Sequence, residues 1–166
     1  MNISYFSQKK MYSCGAAATR MVLDFYGIKK PEREIIEGLQ TSINGTNFHN
    51  VKKYVESLGL KCHIEQIRKK EKGLHELRDY IRKETPVLIT VNRYIYDKKT
   101  PRIEEKVHWE SDEFSYHILV VTEIDEKNVV VNDPHKEIGK HKIPLNKFLD
   151  AWYNRDYPGY IVTISR

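Results

Sequence analysis

One cysteine, one histidine and one aspartate in this chain have the types and spacing needed for nucleophilic chemistry: Cys14, His117 and Asp133. Cys14 opens a run of small residues, Ser13-Cys14-Gly15-Ala16-Ala17-Ala18, that reads as the start of a helix. A helix N-terminus carries about half a positive charge and several unpaired N–H groups. Both favour a thiolate, so a cysteine at this position can ionise near neutral pH. Gly15 and the alanines keep side chains out of the path of a substrate backbone. A free cysteine also serves as a small buried core residue, and position by itself leaves both roles open.

A thiolate needs a base, and a downstream hairpin offers one. The β-branched runs 117–124 and 129–133 flank Asp125-Glu126-Lys127-Asn128, which reads as the turn between two strands. With that turn centred on Asp125, His117 lies eight residues before it and Asp133 eight after. Directly opposed residues of an antiparallel pair have Cβ atoms about 4.5–5.5 Å apart and share one face of the sheet. Asp133 is then placed to accept from one imidazole nitrogen while the other faces a thiol, the orienting logic of a Cys-His-Asp triad. A slip of one residue would make Asn132 the partner instead. The structural alternative is a histidine at a strand end beside an Asp-Pro turn.

The elements that must hold these groups follow from periodicity. Ala17, Met21 and Phe25, with Ala18 and Val22 beside them, give a first helix over 14–26 that stops at Gly27. Pro31 starts a second helix, with Glu32 and Glu34 in its first turn and Ile35, Ile36 and Leu39 facing inward. Phe48, Val51, Val55 and Leu58 mark a third, closed by Gly59. Beyond it come a strand at 61–67, a helix around Leu74, Leu77 and Ile81, and a buried-type strand from Val87 to Val91. A charged, aromatic-bearing connection over 93–115 carries Tyr94, Tyr96, Trp109 and Phe114, placed either to cover a cleft or to form a surface hairpin. The hairpin, a short helix at 145–152 and a closing strand at 160–164 complete the chain. Helices first and antiparallel strands afterwards predict an α+β domain, with no linker to divide residues 1–166.

Several function classes are excluded. No Gly-x-Gly-x-x-Gly or Gly-Lys-Ser/Thr phosphate loop occurs, nor a Gly-x-Ser-x-Gly elbow. His75-Glu76 begins like a zinc protease motif, but Asp79 stands where the second histidine belongs. His135 and His141 are expected in a surface or hairpin role, with no metal site. The 28 basic and 23 acidic residues leave +5, spread in short clusters with no nucleic-acid module. The longest aliphatic run, Ile118 to Val121, is far short of the ~18 residues a membrane span needs. With two cysteines and no apolar leader, free thiols and a cytoplasmic location are expected. Cys62 reads as a small apolar residue on a strand, and Phe48, Tyr54 and Trp152 as core.

Taken together these residues resemble a known family. Gln8-Lys9-Lys10-Met11-Tyr12-Ser13-Cys14-Gly15, the Tyr26-Gly27 that ends the helix, His117 heading Ile118-Leu119-Val120-Val121, and Asp133-Pro134 are similar in order and spacing to the bacteriocin-processing, double-glycine peptidases. These are papain-like cysteine peptidases, and this chain looks like a stand-alone member. The resemblance implies a papain-like fold with an N-terminal helical part packed on a C-terminal antiparallel sheet. It further implies Cys14 as nucleophile, His117 as general base and later acid, and Asp133 as its orienting partner. Gln8, otherwise an ordinary surface glutamine, would complete an oxyanion hole with the Cys14 backbone N–H. The implied activity is cleavage of a peptide or amide bond in a peptide or protein substrate through an acyl-thioester, without a cofactor. Acyl transfer by the same residues and a non-catalytic peptide-binding module are the alternatives.

Overall fold

The computed structural model describes residues 1–93, 95–96, 116–154 and 157–166. Tyr94, Trp109 and Phe114 of the aromatic connection therefore lie outside the described residues. Three helices come first: α1 (Cys14–Phe25), α2 (Glu32–Gly38) and α3 (Phe48–Ser57). After them come β1 (Lys61–Gln66), α4 (Lys70–Arg82), β2 (Val87–Asn92), β3 (Tyr116–Ile124), β4 (Asn128–Asp133) and β5 (Gly139–Pro144). The chain ends with α5 (Leu145–Trp152), the short pair β6 (Tyr153–Asn154) and β7 (Tyr157–Pro158), and β8 (Tyr160–Ser165). Gly27 and Gly59, both at positive φ, terminate α1 and α3 where the sequence places the stops.

Six strands form one antiparallel sheet in the order β1-β8-β2-β3-β4-β5, so the last strand inserts between β1 and β2. Both faces are covered. On one, Met21, Leu23, Ile35 and Val51 of α1–α3 pack on Ile118, Val120, Val162 and Ile164. On the other, Leu77, Phe148 and Trp152 of α4 and α5 pack on Leu119, Val121, Val131 and Ile161. This explains why Ile118 to Val121 is apolar without alternation: successive side chains enter two different cores. Burying each such side chain is worth about 1.5–3 kcal/mol, so β3 is held firmly from both sides just beyond His117.

Two expectations need correction. Val120 pairs with Asn132 and Val121 with Val131, but beyond an irregularity at Thr122 the partners become Glu123 with Val130 and Ile124 with Val129. The extra residue shifts the register, so His117 and Asp133 are not directly opposed. Continued along the ladder, Leu119 stands opposite Asp133 and His117 is its diagonal neighbour on the same face. The second correction is β5, which the sequence reading leaves out. Gly139-Lys140-His141-Lys142-Ile143-Pro144 is an edge strand that buries only Ile143 fully, so it lacks the apolar alternation that announces a strand.

Candidate active site

Cys14 is the first residue of α1, and α1 lies across β3. Gly15 makes the approach possible. A Cβ there would lie 2.5 Å from the Cβ and Oγ1 of Thr46 and 3.0 Å from Cδ1 of Ile118. Close packing therefore requires glycine here. Ser13, just ahead, makes no side-chain cap to the helix. Its hydroxyl reaches the buried carboxylate of Glu32 at 2.7 Å, and the same Oε1 accepts the Lys9 N–H at 3.0 Å. Glu32 therefore pins the turn that leads into the cysteine. Sequence reasoning credits it only with a favourable place at a helix start.

Parity along β3 sends His117 to the α4–α5 side, while Cys14 belongs to the α1 core. They meet at the end of the strand, where α1 begins. His117 Nε2 donates to Oδ1 of Asp133 at 2.7 Å, with both side chains at 1% exposure or less. The other ring nitrogen, Nδ1, is buried and bonds to no other group among the described residues, and the Cys14 thiol and this imidazole are close enough to shift each other's ionisation. The structure thus brings Cys14, His117 and Asp133 together. Asn132, the alternative at a shifted register, instead turns its amide to the Ile3 carbonyl at 3.3 Å.

The electrostatics favour an ion pair. Burial opposes ionisation of Cys14. The hydrogen bond and charge of His117, the Ile118 backbone N–H and the more distant Arg93 outweigh it, and the thiol titrates below its usual range. Burial likewise opposes the imidazolium, but the charge and hydrogen bond of Asp133, helped by Cys14, raise His117 to about 9. Asp133 is burdened by burial as well. His117, the His135 N–H and the Tyr96 hydroxyl hold its carboxyl below the ordinary carboxylate range. Both shifts run toward a thiolate paired with an imidazolium.

Asp133 is fully satisfied. Oδ1 accepts from His117 and from the His135 N–H at 2.8 Å, and Oδ2 accepts the Tyr96 hydroxyl at 2.9 Å. Tyr96 is buried, which settles its place: it stands behind the aspartate instead of over a cleft. His135, in the β4–β5 turn, is buried too, and the partly buried His141 on β5 lies 2.9 Å from the Tyr96 hydroxyl, so both have the hairpin place expected of them without lying on an open surface. The link from Tyr96 to Asp133 and His141, and the place of Arg93, escape sequence reasoning because nothing local marks them.

Gln8 arrives through its backbone, whose N–H donates to the Pro134 carbonyl at 2.8 Å. Its side chain is buried, not superficial. Nε2 donates to the carbonyls of Lys10 at 2.7 Å and Met11 at 3.0 Å, while Oε1 is buried without a partner. The amide therefore braces the turn before Cys14. A cleft of about 440 Å³ opens beside the thiol, walled by Thr46, Phe48, Ile64, Thr90, Tyr116 and Tyr160. Phe48 lines this cleft and is only partly buried, unlike Trp152, which is core as expected. A second hollow of about 540 Å³ shares Ile64 and Gln66 and runs on between β1 and α4, but it holds no nucleophile.

Comparison with known proteins adds three kinds of match. The model of the Peptidase_C39 like family matches residues 1–160. The lactococcin transport/processing ATP-binding protein LcnC-like of Lactococcus lactis is 26% identical over 149 residues, which is 90% of this chain. This chain spans only 18% of that relative's length. Among solved structures, the double glycine motif protease of an AMS/PCAT transporter, in complex with the leader peptide, superposes with a TM-score of 0.70 at 22% identity. That match covers 99% of this chain and 91% of the other. The peptidase domain of Streptococcus ComA gives 0.73 at 16% identity, with 99% and 98% covered. A C39-like peptidase from Bacillus anthracis gives 0.72 at 18%, with 99% and 96% covered. The helical layer packed on an antiparallel sheet is thus the papain-like fold of these peptidase domains. No helix among the described residues is long and apolar enough to cross a membrane.

Proposed function

The chain belongs to the Peptidase_C39-like family and is a cysteine peptidase, and from that premise we propose that Cys14 is its nucleophile. We read residues 1–166 as one peptidase domain working in a reducing, cytoplasmic setting, in keeping with two free thiols. His117 holds the proton that the thiolate has given up. Sγ attacks the carbonyl carbon of the scissile bond, and negative charge develops on the carbonyl oxygen. The Cys14 backbone N–H and one Gln8 amide N–H receive it, and for this one of the two Gln8 hydrogen bonds to Lys10 and Met11 must be shared or released. Donors aimed at such developing charge are worth about 10²–10³ in rate each. His117 then passes its Nδ1 proton to the leaving amine, which leaves an acyl-thioester on Cys14. Water, deprotonated by His117, attacks that carbonyl, and the carboxylate product departs as the thiolate returns.

The observation that carries this reading is the single imidazole held between a buried aspartate and a thiol at a helix start. The substrate we propose is a peptide cut after a Gly-Gly pair, in line with the leader-peptide complex of the structural relative. Incubation with synthetic peptides carrying Gly-Gly or Ala-Leu at the scissile position tests this. Cleavage confined to the Gly-Gly peptide and lost in Cys14→Ala is the expected result. Cleavage that persists in Cys14→Ala would dismiss the nucleophile. Equal cleavage of both peptides would dismiss the substrate class.

A further inference from the structure

Asp133 is tied to more than His117. Its ladder partner on β5 is Gly139, and two residues further along that strand, on the same face, comes His141. The Tyr96 hydroxyl lies between them, 2.9 Å from Asp133 Oδ2 and 2.9 Å from His141 Nε2. On its other side, His141 Nδ1 lies 3.1 Å from the Gly139 carbonyl.

Counting protons fixes the state of this chain of groups. A carboxylate only accepts, so the one Tyr96 proton points to Asp133. The phenol oxygen is then the acceptor for a proton on His141 Nε2. A carbonyl also only accepts, so Nδ1 must carry a proton too. Among the described contacts both ring nitrogens are donors, which makes His141 an imidazolium in this arrangement. When it loses one proton to solvent and keeps Nδ1–H on Gly139, Nε2 becomes an acceptor that competes with Asp133 for the Tyr96 proton. Among the described residues, the other groups facing this site are His117, with its ring centroid 6.3 Å from that of Tyr96; Tyr5, against Gly139 and bonded to the His135 carbonyl; and His135, whose N–H bonds Asp133, with Arg93 near it. Lys140 and Lys142 alternate to the exposed side of β5, where Lys140 meets Glu123.

We propose that His141 is a positioning residue acting through Tyr96. Its protonation directs the Tyr96 hydroxyl onto Asp133, and its deprotonation withdraws that donor, so the carboxylate presents a fuller charge to His117. The inference rests on the catalytic reading above. The consequence is a coupling between two histidines on different strands, transmitted by one hydroxyl proton.

Ring ¹⁵N resonances of His117 and His141, followed against pH in the wild type, Tyr96→Phe, His141→Ala and the double variant, test it. Phe keeps the packed ring and removes only the hydroxyl. We expect both His141 nitrogens to be protonated at pH 6. We also expect Tyr96→Phe to raise the His117 midpoint, and His141→Ala to raise it in the wild type but not in the Tyr96→Phe background. His141→Gln, which retains a donor toward Tyr96, should restore the wild-type midpoint. A neutral His141 at pH 6, or an equal effect of His141→Ala in both backgrounds, would overturn the proposal. Alkylation of Cys14 by iodoacetamide at pH 6, run in parallel, judges the catalytic reading separately. A sluggish Cys14 in the wild type would sink that reading, while the resonances still decide the coupling.

Discussion

Cys14 and Cys62 are buried to nearly the same degree, with 8% and 6% of their surface exposed, yet their thiols are pushed in opposite directions. Cys62 sits near one end of the β1–β8 ladder, opposite Ile164. Burial raises it to about 11, Lys52 offsets part of that and Glu56 adds to it. Cys14 meets the same burial at a helix start, beside a histidine whose charge Asp133 sustains. Burial by itself makes a thiol inert. A reactive one needs a charge brought to it from a distant part of the chain, and His117 and Asp133 on β3 and β4 supply that charge.

The largest effect that sharpens this contrast is on turnover. Cys14→Ala should lower peptide cleavage by about 10⁴-fold or more, as loss of a nucleophile does, with the melting temperature little changed. Cys62→Ala should leave cleavage intact and cost on the order of 1 kcal/mol of stability, read by urea unfolding.

Next comes His117→Ala, which removes what distinguishes the two thiols. Cys14 should then alkylate as slowly as Cys62 at pH 6. Asp133 is left buried without its counter-charge, a loss of about 3–5 kcal/mol. The sign with pH follows from a folded pKa near 9 against about 6.5 for an unfolded histidine. His117 contributes its full stabilisation below the unfolded value and loses it as pH rises through 9. The stability gap between wild type and variant should therefore narrow between pH 7 and 10. Cleavage by the wild type should fall over the upper part of that range as the imidazolium disappears.

Asp133→Asn should have a smaller effect. An amide oxygen still orients the ring but no longer holds its charge, so activity should fall by less than about 10²-fold and the pH limit for cleavage should move below 9. The smallest effect belongs to Lys52→Met, which removes the cation opposing burial at Cys62. It should slow Cys62 further and leave Cys14 untouched, as residue-resolved mass spectrometry would show.

The contrast was half legible in the sequence. The small-residue run after Cys14 and the Gly27 stop announce the helix that carries Cys14, and His117 with Asp133 stand out as polar ends of two apolar strands. Their pairing was foreseen for a faulty reason. A symmetric hairpin puts them face to face, whereas the extra residue at Thr122 makes them diagonal, and no residue type there signals a bulge. What stayed hidden depends on long-range contact: Tyr96 reaches Asp133 across 37 residues, His141 reaches Tyr96 across 45, and Glu32 reaches Ser13 across 19. None belongs to a periodic pattern, because each is fixed by the tertiary fold and not by its own helix or strand. Gln8 was visible only by resemblance. Its amide proves to be engaged by two carbonyls, a geometry that spacing does not reveal.

Whether His117 holds Cys14 as a thiolate is decided by the alkylation rate of each cysteine against pH. Peptide mass spectrometry after brief iodoacetamide exposure from pH 5 to 10 gives both curves from one sample. Cys14 should react well below the ~8.5 of a free thiol, while Cys62 should stay unreactive until strongly alkaline pH. Two curves that coincide and rise together near that value would contradict it.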